Sequence, residues 1–125
     1  MSSAFLGLRT AIYRVPDIEK AKAWYSEVFG VQPYFDQPFY VGFEIGGFEL
    51  GLQPLEGNTE GPKSDSVLTY WGVEHVRTVY DRLLDLGATP HEEPVNVGGP
   101  IEVASVKDPW DNIIGIIYNP EFKIK

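Results

Sequence analysis

An α+β fold made of two βαβββ modules is the fold class this sequence predicts, and three observations predict it. The chain has 125 residues, one domain's length, with 43% hydrophobic and 22% charged residues, so it can bury a core of its own. A pattern of short apolar strand followed by amphipathic helix occurs twice: Val15-Pro16-Asp17-Ile18 falls on Val73-Glu74-His75-Val76, an offset of about 58 residues. After each helix come roughly 30 or more residues with no helical period. A ferredoxin-like βαββαβ layout needs only two strands there, and the spacing leaves room for more.

The elements follow in order. Residues 8–15 carry β-branched and aromatic side chains and open the first module as a strand. A helix is expected near residues 17–29, capped by Asp17, with Ile18, Ala21, Tyr25 and Val28 along one face. Gly30 sits where a left-handed terminating residue is wanted. The stretch "VQPYFDQPFYVGFEIGGFELGLQP" divides at Asp36-Gln37-Pro38 and at Gly46-Gly47 into about three strands. The second module repeats the plan with a strand over residues 67–73 and a helix near 74–86, whose apolar face is Val76, Val79, Leu83 and Leu86. Gly87 ends that helix, and three more strands are divided at Gly98-Gly99 and at residues 108–112. The expectation is a single domain over residues 1–125, with a first module at about 6–55, a polar linker at 56–66 and a second module at about 67–119.

Composition narrows the function. Ten basic against eighteen acidic side chains give a net charge of −8, which repels phosphate backbones, so no nucleic-acid partner is expected. A cationic small molecule would be attracted. The chain has no cysteine, which removes disulfide and thiolate chemistry and fits a cytoplasmic protein. "MSSAFLGLRT" does not read as a secretory signal, and no apolar run approaches the roughly 18 residues of a membrane span, so no membrane association is expected. No G-x-S-x-G, H-E-x-x-H, P-loop or dinucleotide glycine pattern is present.

Two stretches carry a resemblance. Val106-Lys107-Asp108-Pro109-Trp110-Asp111-Asn112-Ile113-Ile114 is similar to a strand, D-P-x-G-N turn and strand. Val15-Pro16-Asp17-Ile18, Trp24-Tyr25 and Val28-Phe29-Gly30 resemble V-x-D-L … F-Y … L-G. In this order they resemble the vicinal oxygen chelate superfamily, which includes glyoxalases, extradiol dioxygenases and bleomycin-resistance proteins, over about residues 6–119. Asp111 replaces the usual glycine, a tolerable change because aspartate visits positive φ more readily than most residues. The resemblance implies an open U-shaped half-barrel of mixed sheet around a cavity, helices outside, and a homodimer. In metal-dependent members the ligands come from the first and last strands of each module, positions that carry Thr10, Gly51, Leu68 and Gly115 here.

A divalent metal needs about three or more oxygen, nitrogen or sulfur donors. These four positions offer one poor hydroxyl, so neither a metal nor another cofactor is expected, and no catalytic residue is assigned. The two glycines are expected to leave space on the cavity floor. Strand alternation nominates Thr10, Ile12, Arg14, Phe43, Glu49, Gly51, Gln53, Leu68, Tyr70, Ile113 and Gly115 as cavity residues. Glu49 and Gln53 flank Gly51 and have three readings: ligands in a shifted register, a polar cavity wall, or a solvent-exposed strand end. Tyr34, Phe35, Phe39, Tyr40 and Phe43 divide between the helix side and the cavity, where flat walls suit an aromatic or cationic ligand. His75 reads as a surface or capping residue, and His91 as part of a polar strand or loop. The resulting expectation is a glyoxalase/bleomycin-resistance-like protein that binds or sequesters a small molecule without a metal. The alternative is a metal-dependent lyase or dioxygenase-like enzyme with displaced ligands. Gly98-Gly99-Pro100 stands where the family often has tryptophan-glycine, which leaves the ligand's identity open.

Overall fold

In a strand, successive side chains point to opposite faces, so one apolar residue in two is enough to seat a sheet on a helix. The computed structural model describes residues 8–55 and 68–121. Its elements run β1 (Thr10–Val15), α1 (Ile18–Phe29), β2 (Phe35–Gln37), β3 (Tyr40–Ile45), β4 (Phe48–Pro54), β5 (Tyr70–Gly72), α2 (Val76–Asp85), β6 (Thr89–Gly98), β7 (Ile101–Lys107) and β8 (Ile113–Tyr118). This is strand–helix–strand–strand–strand, twice. Two compact units divide the chain, Met1–Glu60 and Gly61–Lys125.

Each unit forms one four-stranded mixed sheet, in the order β1-β4-β3-β2 in the first and β5-β8-β7-β6 in the second. The module's first strand runs parallel to its last, and the remaining pairs are antiparallel. A parallel pair cannot be closed by a tight turn, and α1 and α2 supply the crossovers.

In the first unit Tyr13, Val15, Val41, Phe43, Leu50 and Leu52 are buried on the side that also buries Ala21 and Tyr25 of α1. Tyr13 and Tyr25 meet there with ring centroids 5.8 Å apart. In the second, Ala104, Val106, Ile114 and Ile116 form the core with Val76, Tyr80 and Leu83 of α2. Lys22 of α1 pairs with Glu19 and with Asp36 of β2, each at 3.0 Å, holding the edge strand to the helix.

The helix ends follow local chemistry. Asp17 Oδ1 accepts the backbone N–H groups of Glu19 and Lys20, each at 3.1 Å. Gly30 closes α1 with φ 69° and donates its N–H to the Ser26 carbonyl. After α2, the Gly87 N–H donates to the Leu84 carbonyl and the Ala88 N–H to that of Leu83, the two bonds of a Schellman motif. His75 occupies the N-cap of α2 but its side chain makes no capping bond. In the turn before β8, the buried Asp108 carboxylate accepts the backbone N–H groups of Trp110 at 2.8 Å and Asn112 at 2.7 Å. That wraps the chain through Asp111 at φ 68°, the positive value its position was expected to require.

Several boundaries differ from the sequence reading, among them the start of β1 at Thr10 rather than at residue 8. Phe35–Gln37 is itself a strand, and the break falls after it at Pro38-Phe39, since β2 pairs with β3 through Gln37 and Tyr40. The second module's first strand begins at Tyr70, so Leu68 precedes it. The linker expected at 56–66 lies outside the described residues. Among the described residues, no helix is long and apolar enough to cross a membrane.

Candidate functional site

The parallel register of β1 and β4 sets Thr10 beside Glu49, Ile12 beside Gly51 and Arg14 beside Gln53. β3 extends these rows by placing Glu44 beside Glu49 and Gly42 beside Gly51, and β2 adds Phe35 beside Gly42. All of these positions lie on the sheet face opposite α1. A row with two adjacent glycines therefore runs between Ile12 and Phe35, which are 46% and 39% exposed. Acidic side chains border it on one side, and Arg14, Gln53 and Tyr40 on the other.

Glu49 is the centre of this face. Its carboxylate accepts hydrogen bonds from the hydroxyls of Thr10 at 2.8 Å and of Tyr34, and Tyr40 bonds it as well. Burial pushes the Glu49 carboxyl up, but the hydrogen bonds from Tyr34, Thr10 and Tyr40 together outweigh it and hold the group below its ordinary value. The phenols respond in the opposite sense. Tyr40 is pushed up to about 12, chiefly by burial and then by its bond to Glu49. Tyr34 is raised by its bond to Glu49 and by burial. The result is a fixed anion surrounded by neutral donors, each hydroxyl keeping lone pairs that can still accept. On the far side of the glycine row, Arg14 Nε donates to Gln53 Oε1 at 3.4 Å.

The glycines do not leave the space that was expected. A Cβ on Gly51 would lie 2.7 Å from Tyr40 Cζ, and one on Gly42 would lie 2.8 Å from Glu49 Oε2 and 3.0 Å from Tyr34 Cε1. The two tyrosine rings lie against bare backbone, which only glycine allows. Phe43 is also displaced from its expected place. It pairs with Leu50 and is 0% exposed, so it belongs to the core beneath α1 and not to this face.

In the second unit, Gly115 pairs with Tyr70 on one side and Ser105 on the other. A Cβ there would meet the Thr69 carbonyl oxygen at 2.5 Å and Tyr70 Cδ1 at 2.8 Å, so this floor is also covered. Ile113 shares the parity of Gly115, and His91 Nδ1 hydrogen-bonds Ser105 Oγ at 2.7 Å. Leu68 is half-buried and lies outside any strand. A separate concavity of about 770 Å³ opens where α2 begins, lined by Glu74, His75, Arg77, Asn96, Glu102 and Tyr118 among others. It includes none of the predicted cavity residues.

These residues do not fit a metal. Thr10 commits its hydroxyl to Glu49, Gly51 and Gly115 lie under tyrosine rings, and Leu68 has no donor atom. Among the described residues, no group of three or more His, Asp or Glu side chains is placed to hold an ion. The sequence reading located Thr10, Ile12, Arg14, Glu49, Gly51 and Gln53 on one face and missed Tyr34 and Tyr40 as partners of Glu49. The available signal was the parity of Tyr40 with Gly42.

Comparison with protein-family models matches residues 7–116 to the Glyoxalase/Bleomycin resistance protein/Dioxygenase superfamily. Among solved structures, the chain is similar to a glyoxalase-related enzyme from Fulvimarina pelagi, with 21% identity, 97% of this chain and 94% of that one covered, and a TM-score of 0.74. It is also similar to a glyoxalase/bleomycin resistance protein from Albidiferax ferrireducens T118, with 15% identity, coverage of 90% and 98%, and a TM-score of 0.71. A third is a glyoxalase/bleomycin resistance protein/dioxygenase family enzyme from Burkholderia phytofirmans PsJN, at 23% identity, 87% and 95% coverage and a TM-score of 0.68. Likenesses at these identities speak to the fold. A comparison with curated protein sequences found no match.

Proposed function

The chain belongs to the Glyoxalase/Bleomycin resistance protein/Dioxygenase superfamily, and from that premise we propose that it binds a small aromatic or cationic molecule on the Glu49 face without a metal. The observation that carries this reading is the Glu49 carboxylate, which accepts hydrogen bonds from the hydroxyls of Thr10 and Tyr34 and is bonded by Tyr40 as well. A fixed anion beside aromatic rings attracts a positive or donor-bearing ligand through charge and through the ring faces. The net charge of −8 acts in the same direction at long range. A carboxyl held below its ordinary value is a weak base, so the arrangement suits holding a ligand better than removing a proton from one.

A thermal-shift screen of aromatic cations against the protein and Glu49→Gln tests the reading. A ligand at 100 times its Kd should add about 2.7 kcal/mol of stability, and the substitution should remove most of that gain. Stabilisation that survives Glu49→Gln for every hit overturns the proposal. Metal analysis of untagged protein is the second arm, with sub-stoichiometric metal and a chelator-insensitive melting temperature expected. Stoichiometric metal that is lost on replacing Glu49 or His91 would put a metal-dependent enzyme in its place.

A further inference from the structure

We propose that the peptide surface at Gly51, now occupied by the Tyr40 ring, is a subsite for a planar aryl group bearing an O–H or N–H donor, and that Tyr40 is its displaceable resident. This rests on the reading of Glu49 as the ligand's anchor. Glycine weakens a strand interior, and a glycine there marks a place where something must approach the backbone closely. Here two of them face each other across β3 and β4. The flat peptide surface they make between Ile12 and Phe35 is covered, by the Tyr34 ring over Gly42 and the Tyr40 ring over Gly51.

What approaches that surface is an aryl alcohol belonging to the protein itself. The Tyr40 ring lies over Gly51, and its hydroxyl engages Glu49. A ligand that laid an aromatic ring on the same surface and donated to the same carboxylate would reproduce both contacts. Tyr40 can yield its place without loss to the core. It is the first residue of β3, next to the turn after β2, and β3 is anchored from the opposite face by Val41 and Phe43, both 0% exposed. When Tyr40 rotates away, Thr10 and Tyr34 remain on Glu49, so the carboxylate stays oriented for the incoming donor.

The probes are p-cresol, which has the ring and the donor, and toluene, which has only the ring. In protein labelled with 3-fluorotyrosine, the Tyr40 resonance is assigned by its loss in Tyr40→Phe. Adding p-cresol should shift that resonance, and toluene should leave it in place. Tyr40→Ala should bind p-cresol at least about tenfold more tightly than the parent protein, and adding Glu49→Gln should cancel the gain. Gly51→Ala, whose methyl group occupies the floor, should abolish the p-cresol effect. An unmoved Tyr40 resonance overturns the proposal, as does toluene acting like p-cresol. So does p-cresol binding in Tyr40→Ala that is indifferent to Glu49, since that would be filling of an engineered hole. If aromatic cations stabilise the protein through Glu49 while Tyr40 stays fixed, this inference fails and the binding reading stands. If no ligand depends on Glu49, both fail.

Discussion

At Glu49 three hydroxyls meet one carboxylate, and the charge state of that meeting depends on pH. The folded protein holds this carboxyl below its ordinary value of 4.5. A depressed acid contributes stability above its unfolded pKa and loses it as pH falls through the folded value. The melting temperature of the protein should therefore fall on acidification through and below the carboxylate range, and Glu49→Gln should flatten that part of the profile. Identical acid limbs would refute the assignment. Gly115 sets a different residue-scale constraint. Its missing Cβ would lie 2.5 Å from the Thr69 carbonyl oxygen, a backbone atom that cannot rotate away. Gly115→Ala should cost about 1–3 kcal/mol in denaturant unfolding, and a neutral result would mean β5 yields easily. The face of Thr10, Ile12, Arg14, Glu49, Gly51 and Gln53 was legible in the sequence because a strand's period of two leaves no other choice once one residue is placed. Phe43 and Tyr40 were not. Assigning them needs the β3 register, and a slip of one residue exchanges the faces of the whole strand.

The two helices do the same job with unequal caps. Asp17 satisfies two N–H groups at the start of α1, whereas His75 satisfies none with its side chain at the start of α2. Asp17→Ala should cost about 1 kcal/mol, and His75→Asp should gain about 0.5–1 kcal/mol by supplying the missing acceptor and a favourable charge. Chemical denaturation of the two variants checks both, and a destabilised His75→Asp would mean that the neighbouring Glu74 repels the new charge. Both helices were readable because their apolar spacing, Asp17 and the glycines after them are local signals. The strand breaks were less so. Asp36-Gln37-Pro38 has turn composition, yet Phe35–Gln37 pairs with β3 and is held to α1 by Lys22, contacts that local sequence does not encode.

Across the whole chain, the repeat was legible as pattern rather than as letters, and both copies fold as βαβββ. The filling of the glycine floors was not, because the rings come from Tyr34 before β2, Tyr40 of β3 and Tyr70 of β5, whose side-chain directions are settled by packing. Each four-stranded sheet ends in edge strands, and β2 and β6 carry the exposed Phe35, Val95 and Val97. Edges of this kind invite pairing with another chain. We propose that the protein is a homodimer, for which light scattering should give twice the monomer mass. A monomer mass at every concentration would refute it.

The parallel pairing of first and last strands also decides how each module answers a mechanical pull. Tension applied at the start of β1 and the end of β4 slides the two strands past each other, so their ladder bonds are loaded together rather than broken in turn. The same geometry holds for β5 and β8. Six residues of β1 lie in register with β4, but β5 contributes three. Stretched from its two ends in a single-molecule experiment, the chain should give way in two steps, the second module rupturing first and at the lower force.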